Sequence, residues 1–322
     1  MAQAIDFSNL NSVLGAYYRD HKELLFTEMF YSDKWQERFN LIDGVTDEKP
    51  LVNMLVDFHI LPGHDKTTWS PQNNAVAFGA QILKVRDCKV DLVIVPSELH
   101  KTWLGKYKKK GSDVFDLPFE QYIILSILKK IQEKMHLLAF YKGVYNAGGT
   151  TTADVMNGFN QLIADLITAT TITATATGAI TSGNVISKLE LLCDEIDPAY
   201  EDMGNWEMTV NPEIFNWYWK ARRTAYGVGN LSDLYSGDMR KKDRLDIEGY
   251  NVTLVKEHGL GTSQRICLTP RENKLLGFDS ETDLNNMLFQ QFERTLKILI
   301  DFKFGAQFML AKDGYLIVND QV

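Results

Sequence analysis

The residues best suited to metal binding or nucleophilic chemistry are six histidines and three cysteines, in a chain of 322 residues. The histidines are His21, His59, His64, His100, His136 and His258. A zinc site needs Cys or His ligands at short, repeated spacings. Cys88, Cys193 and Cys267 are far apart, with no CxxC and no neighbouring His. An odd, scattered set fits neither a disulfide framework nor a zinc cluster, and each cysteine has apolar neighbours, as a small buried hydrophobe would. His59 and His64 flank Pro62-Gly63, which breaks any helical face that would aim both rings at one ion. His136 falls mid-helix and reads as a packing or interface residue. No HExxH, GxSxG or phosphate-cradling GxxxxGK[ST] occurs, and the lone Gly259-Leu260-Gly261 reads as a loop between strands. Nothing here calls for catalysis, a cofactor or a metal.

Charge is more informative. The net charge of −8 argues against a dedicated nucleic-acid binder, which needs a basic balance to displace counterions from phosphate. An acidic protein can still enclose nucleic acid without gripping it. Two clusters stand out: a basic knot of Arg240, Lys241, Lys242 and Arg244, and an acidic run of Asp194, Glu195, Asp197, Glu201 and Asp202. They read either as two solvated loops or as complementary edges of neighbouring subunits, since opposite patches steer association and fix register.

The elements that would position these residues follow from periodicity. With 45% hydrophobic and 24% charged residues the composition is that of a folded globular chain. No apolar run reaches the roughly 20 residues that cross a bilayer. Met1 to Asp6 lacks the basic and apolar regions of a signal peptide, so cytoplasmic synthesis is expected. Ser12 to Phe30 is loosely amphipathic, too poor in apolar surface for its own core, and should pack on the main body or on a neighbouring chain. Residues 76–95 read as extended structure ending in the β-branched run Val90 to Val95, with polar Arg86-Asp87-Cys88-Lys89 suggesting the turn of a long hairpin. Pro96-Ser97-Glu98 looks like a helix start.

A long helix follows, with Asp116 as cap, Pro118 in its first turn and Gly143 at its end. Phe119, Tyr122, Ile123, Ile127, Leu128, Ile131, Met135 and Leu138 recur at three- and four-residue spacing. At 1.5 Å per residue this rod is roughly 40 Å long. Ala153 to Leu166 reads as a second helix, and the Thr/Ala tract from Thr168 to Gly178 as an exposed loop or edge strand. Helices are expected from Ser182 or Asn184 towards Pro198, and over Glu213 to Ala225. Strands are expected at Trp206–Pro212, Asn251–Lys256, Arg265–Leu268 and Leu296–Phe304. Asp313-Gly314 reads as a hairpin turn into Tyr315-Leu-Ile-Val318.

The order of these elements resembles that of the tailed-bacteriophage major capsid proteins with the Hong Kong 97-type fold. Local phrases carry the resemblance: Val95-Pro-Ser-Glu-Leu-His-Lys-Thr-Trp, Leu117-Pro-Phe-Glu-Gln-Tyr, Met156-Asn-Gly-Phe-Asn-Gln-Leu-Ile, Gly183-Asn-Val-Ile-Ser-Lys-Leu-Glu, Met208-Thr-Val-Asn-Pro and Thr269-Pro-Arg-Glu-Asn-Lys-Leu-Leu-Gly-Phe-Asp. The resemblance spans nearly the whole chain. It implies an α+β fold with an N-terminal arm over 1–50. A peripheral domain over 51–145 would hold an extended β-loop (75–95) and the spine helix (116–142). An α/β axial domain would cover 146–280, and strands over 281–322 would return to the peripheral domain.

It further implies a shell subunit, with no enzymatic activity, that self-assembles into hexamers and pentamers of an icosahedral head enclosing double-stranded DNA without specific binding. Partners would be other copies of the chain, a portal, and decoration or scaffolding proteins, in a virion built in the host bacterial cytoplasm and needing no membrane or cofactor. Lys84, Arg86 and Lys89 on the loop, with Asp194, Glu195, Asp197, Arg240, Lys241, Lys242 and Arg244, are the candidate subunit-interface residues. Some members crosslink a loop lysine to an asparagine on a neighbour, but no partner asparagine or catalytic acid is marked here. The competing readings are an encapsulin-like nanocompartment shell and an α/β enzyme without a recognisable motif.

Overall fold

A computed structural model describes the chain except residues 1–9, 32, 57–75, 96–118, 202–203, 227–242, 280–286, 293–294 and 322. In chain order it begins with α1 (Leu10–Phe30), α2 (Asp33–Gln36), β1 (Asn40–Ile42), β2 (Glu48–Val56), β3 (Val76–Lys84) and β4 (Arg86–Ile94). There follow α3 (Phe119–Lys134), α4 (Phe159–Thr168), β5 (Ala174–Thr175), α5 (Val185–Cys193), β6 (Trp206–Val210) and α6 (Pro212–Tyr226). The last part holds β7 (Arg244–Ile247), β8 (Val252–Lys256), β9 (Cys267–Pro270), β10 (Lys274–Phe278), β11 (Met287–Phe292), β12 (Thr295–Phe308) and β13 (Ile317–Asn319).

The chain forms two compact units. The first takes in Met1–Thr46, Val85–Gly158 and Leu276–Gly305. Its core is aromatic: Phe30 stacks on Phe278 at 5.0 Å between ring centres, Trp35 meets Phe140 at 4.9 Å, and Phe140 meets Phe304 at 5.4 Å. Phe30 and Trp35 come from α1 and α2, so the described N-terminal segment packs on the main body. Ring pairs of this kind add about 0.5–1.5 kcal/mol each beyond area burial. In β12, Leu296, Ile298, Ile300, Phe302 and Phe304 are buried at alternate positions, as their spacing predicts.

The long helix runs as α-helix to Lys134 and ends in a π turn over Met135–Ala139, where the Phe140 N–H donates to Met135 O at 3.1 Å. The expected cap residues 116–118 lie outside the described residues. Beyond this helix the expected second helix divides. Thr152–Asp154 is a 3-10 turn closed by reciprocal bonds between Thr151 and Asp154, and α4 starts only at Phe159. The reason lies at Gly158. A Cβ there would sit 2.6 Å from Ala139 O, so only a bare glycine fits this close against the π turn that follows α3.

The second unit comprises Asp47–Lys84, Phe159–Leu275 and Ala306–Val322. Its six-stranded sheet has the order β5-β13-β9-β6-β8-β7. Leu189, Leu192, Ile214 and Tyr218 of α5 and α6 pack with Met208, Leu254 and Leu268 of the strands in its core. Asn211 caps α6 by accepting from the Ile214 N–H at 2.7 Å, and Pro212 takes the first helical position, where its missing N–H costs nothing. β5 makes the Thr/Ala tract an edge strand, as one of the two readings had it.

Two expected hairpins are corrected. β3 and β4 do not pair with each other: β3 pairs antiparallel with β2 over nine residue pairs, and β4 pairs antiparallel with β12. The polar stretch Arg86–Lys89 is the start of a strand, with buried Leu83, Val85 and Cys88 anchoring the chain through it. The long two-stranded element is therefore 48–84, with 57–75 outside the described residues. At the C-terminus, Gly314 does turn the chain (φ 79°), and a Cβ there would meet Asp197 Cβ at 2.7 Å. The strand it feeds, β13, pairs with β5 and β9 and not with β12.

Candidate interaction surfaces

The cysteines are all buried. Burial pushes the Cys193 and Cys267 thiols up to about 12, which keeps them protonated and inert. Among the described residues no group of three His, Cys, Asp or Glu side chains is placed to hold a metal ion. His59, His64 and His100 lie outside the described residues. No described helix is long and apolar enough to cross a membrane.

Of the basic residues expected on the loop, Lys84 lies on β3, but Arg86 and Lys89 lie on β4, in the first unit's sheet, and all three have local partners. Lys84 pairs with Glu48 across the β2–β3 ladder. Arg86 lies over the Tyr145 ring at 4.2 Å. Lys89 is exposed, 3.4 Å from the Asp91 carboxylate on the same strand face. Exposed pairs of this kind contribute about 0–1 kcal/mol.

The two charge clusters divide on inspection. Asp194 accepts the Tyr250 hydroxyl at 2.6 Å, and that bond, followed by burial, pushes Tyr250 up to about 12. Asp197 caps its own turn, accepting the Ala199 N–H at 2.9 Å. Glu195 is exposed. Arg240, Lys241 and Lys242 lie outside the described residues. Arg244 departs from the solvated-loop reading: it starts β7 and reaches Glu207 Oε1 at 2.7 Å.

Glu207 is the centre of a network that periodicity missed. It is 1% exposed, and its second oxygen accepts from Lys274 Nζ at 3.0 Å. Lys274, 2% exposed, also donates to Thr209 Oγ1 at 3.2 Å. A buried charge needs a partner, so the available signal was a Glu inside the strand Trp206–Val210 and a Lys opening the otherwise apolar strand Lys274–Phe278. The Thr/Ala tract is held similarly from the C-terminus. Asp320 accepts from Thr177 Oγ1 at 3.0 Å and from the Gly178 N–H at 3.1 Å, and Asp313 accepts the Thr173 N–H at 2.7 Å.

In the first unit an apolar groove of about 960 Å3 lies between β4 and α3. Val90, Leu92 and Ile94 line one wall and Tyr122, Ile127 and Met135 the other. On the outer face of the same strand Val93 is 65% exposed.

No protein-family model matches the sequence, and no curated protein matches it. Solved structures do. A chain of the satellite phage P4 procapsid, in a structure that includes the size determination (Sid) protein, matches with TM-score 0.62 and 13% identity over 97% of both chains. A chain from the capsid of an empty GTA particle computed with C5 symmetry matches with TM-score 0.50 and 11% identity over 88% of both chains. The mixed α and β architecture described above is thus that of these shells, and the chain has the fold of the phage capsid proteins.

Proposed function

We propose that this chain is a major capsid protein, a structural subunit that assembles into hexamers and pentamers of an icosahedral phage head around double-stranded DNA. The observation that carries the reading is the match to a procapsid chain along 97% of both chains. In this reading α3 is the spine of the peripheral domain, the six-stranded sheet with α5 and α6 is the axial domain, and β2–β3 is the extended loop. A lone two-stranded sheet is marginal in water. Ile82, 51% exposed on β3, suits a hairpin that gains its stability against another subunit. Portal, scaffolding or decoration proteins would be its further partners, in a virion assembled in the host cytoplasm. The exposed Glu195, with Lys241 and Lys242, remains a candidate for charge contacts between subunits within a capsomer.

Sedimentation velocity of the purified chain tests the proposal. Capsomers and closed shells predict species far larger than the monomer, in discrete classes. A single monomeric boundary at all concentrations contradicts it.

A further inference from the structure

Arg265 is a buried cation with too few partners. It precedes β9 in the second unit and is 5% exposed. Its Nη1 donates to Asn319 O at 2.6 Å, its Nε finds no acceptor, and among the described residues no carboxylate pairs with it. A buried cation in this state costs stability, and such an exception in a folded chain calls for a reason. Burial holds the guanidinium below its usual range, and Asp320 is among the groups whose charge acts the other way.

Asp320 is turned to other donors. Its carboxylate accepts from the Thr177 N–H at 3.1 Å, the Thr177 hydroxyl at 3.0 Å and the Gly178 N–H at 3.1 Å, closing the Thr/Ala tract onto the C-terminal segment. The backbone around both groups is pinned. Asn319 brackets Arg265, accepting the Ile266 N–H at 2.8 Å and donating to Gln264 O at 2.8 Å. The Asp320 N–H donates to Thr175 O at 3.0 Å. Since Asn319 O touches the guanidinium, the Cα of Asp320, one peptide unit on, lies within about 5 Å of it. A change of side-chain rotamer, with the backbone in place, separates the two sets of donors.

We propose that Asp320 is a two-position clasp. In the closed position, the one described above, it holds Thr177 and Gly178 and leaves Arg265 short of a partner. In the open position it pairs with Arg265 and releases the tract. Each position leaves buried donors wanting, Arg265 in one and Thr177, 2% exposed, in the other, so the two lie close in energy. The tract has little else to hold it: β5 pairs with β13 only at Ala174 and Thr175, and Asp313 takes the Thr173 N–H. From Leu166 to Ser187 the chain carries no charge, so a released tract reshapes against a neighbouring copy without meeting like charges. That use rests on the capsid reading; the clasp itself does not.

Hydrogen exchange in the full unassembled chain separates a clasp from a bracing arginine. Arg265→Gln removes the partner that favours the open position, so the Gly178 amide should exchange about tenfold more slowly. An arginine that only braces Asn319 predicts the opposite sign, and faster or unchanged exchange at Gly178 overturns the clasp. Thr177→Val leaves Arg265 in place and serves even where Arg265→Gln does not fold. It should speed Gly178 exchange and at the same time slow exchange of the Arg265 Nε proton, as Asp320 turns to it. Faster Gly178 exchange with an unchanged Arg265 Nε proton also overturns the clasp. Particle yield reads the use: Arg265→Gln, held closed, should form fewer particles than the wild-type chain. Equal yields beside slowed exchange keep the clasp and remove its role in the shell. A wild-type chain that forms no particles overturns the capsid reading and leaves the clasp to be judged by exchange.

Discussion

At the residue scale the most consequential group is Glu207, which no motif marks. Its strand, Trp206-Glu-Met-Thr-Val, alternates apolar and polar residues as a half-exposed strand would, yet all five are buried. Alternation predicts a wet face only where nothing covers it, and Lys274 is the compensation the pattern could not show. Removing one member of a buried ion pair typically costs about 3–5 kcal/mol. Lys274→Ala, which leaves Glu207 with Arg244 alone, should therefore lower the unfolding free energy by up to that much in urea titrations, and Lys274→Met with Glu207→Gln should cost less, because the one charge that then loses the Glu207 carboxylate, Arg244, is 24% exposed. Asp320 acts at the surface. Its bonds from Gln321 first, then Thr177 and Gly178, hold its carboxyl below the usual range. A depressed carboxyl contributes stability that is present above its unfolded pKa and lost as pH falls through the folded value. Hydrogen exchange at the Thr177 and Gly178 amides should accordingly accelerate in acid more than at comparable exposed amides, and Asp320→Asn should reduce that pH sensitivity. An unaltered pH response in the variant would contradict the tether.

At the element scale, what was legible depended on how local the signal was. The helices α3, α5 and α6 and the strand β12 follow from their own spacing, because each buries a continuous stripe of its own residues. Strand pairing is different. Arg86–Lys89 looks like a turn in isolation, and only β12, some two hundred residues later, makes it a strand. The same holds for Asp313-Gly314, whose turn is real but whose strand joins β5 and β9. The correction changes which segment should be dispensable for folding. Replacing 48–81 with a short linker, which keeps the buried Leu83, should leave both units folded and abolish assembly, since β2 and β3 pair only with each other among the described residues. Replacing 86–94 should instead disrupt the first unit, since β4 belongs to its sheet. Closed shells from the 48–81 variant, seen beside a normal circular dichroism spectrum, would remove the hairpin from the assembly mechanism.

At the scale of the whole molecule, the order of elements carried the capsid fold, whereas surfaces that act only between copies leave no periodicity within one chain to mark their residues. Three residues of the basic knot lie outside the described residues, and its fourth, Arg244, is engaged by Glu207. Net charge does speak at this scale. A subunit of charge −8 repels phosphate on average. Binding of duplex DNA by the purified chain should be weak and should disappear as salt rises to a few hundred millimolar, where the Debye length is below about 8 Å. Tight, sequence-selective binding at physiological salt would contradict a passive container.

The central claim is that this fold builds a shell, and electron cryomicroscopy of the purified, concentrated protein tests it most directly. The account predicts closed icosahedral particles or hexameric and pentameric rings, with β2–β3 of each subunit lying on a neighbour. Dispersed monomers under all assembly conditions, or filaments without closed symmetry, would contradict it.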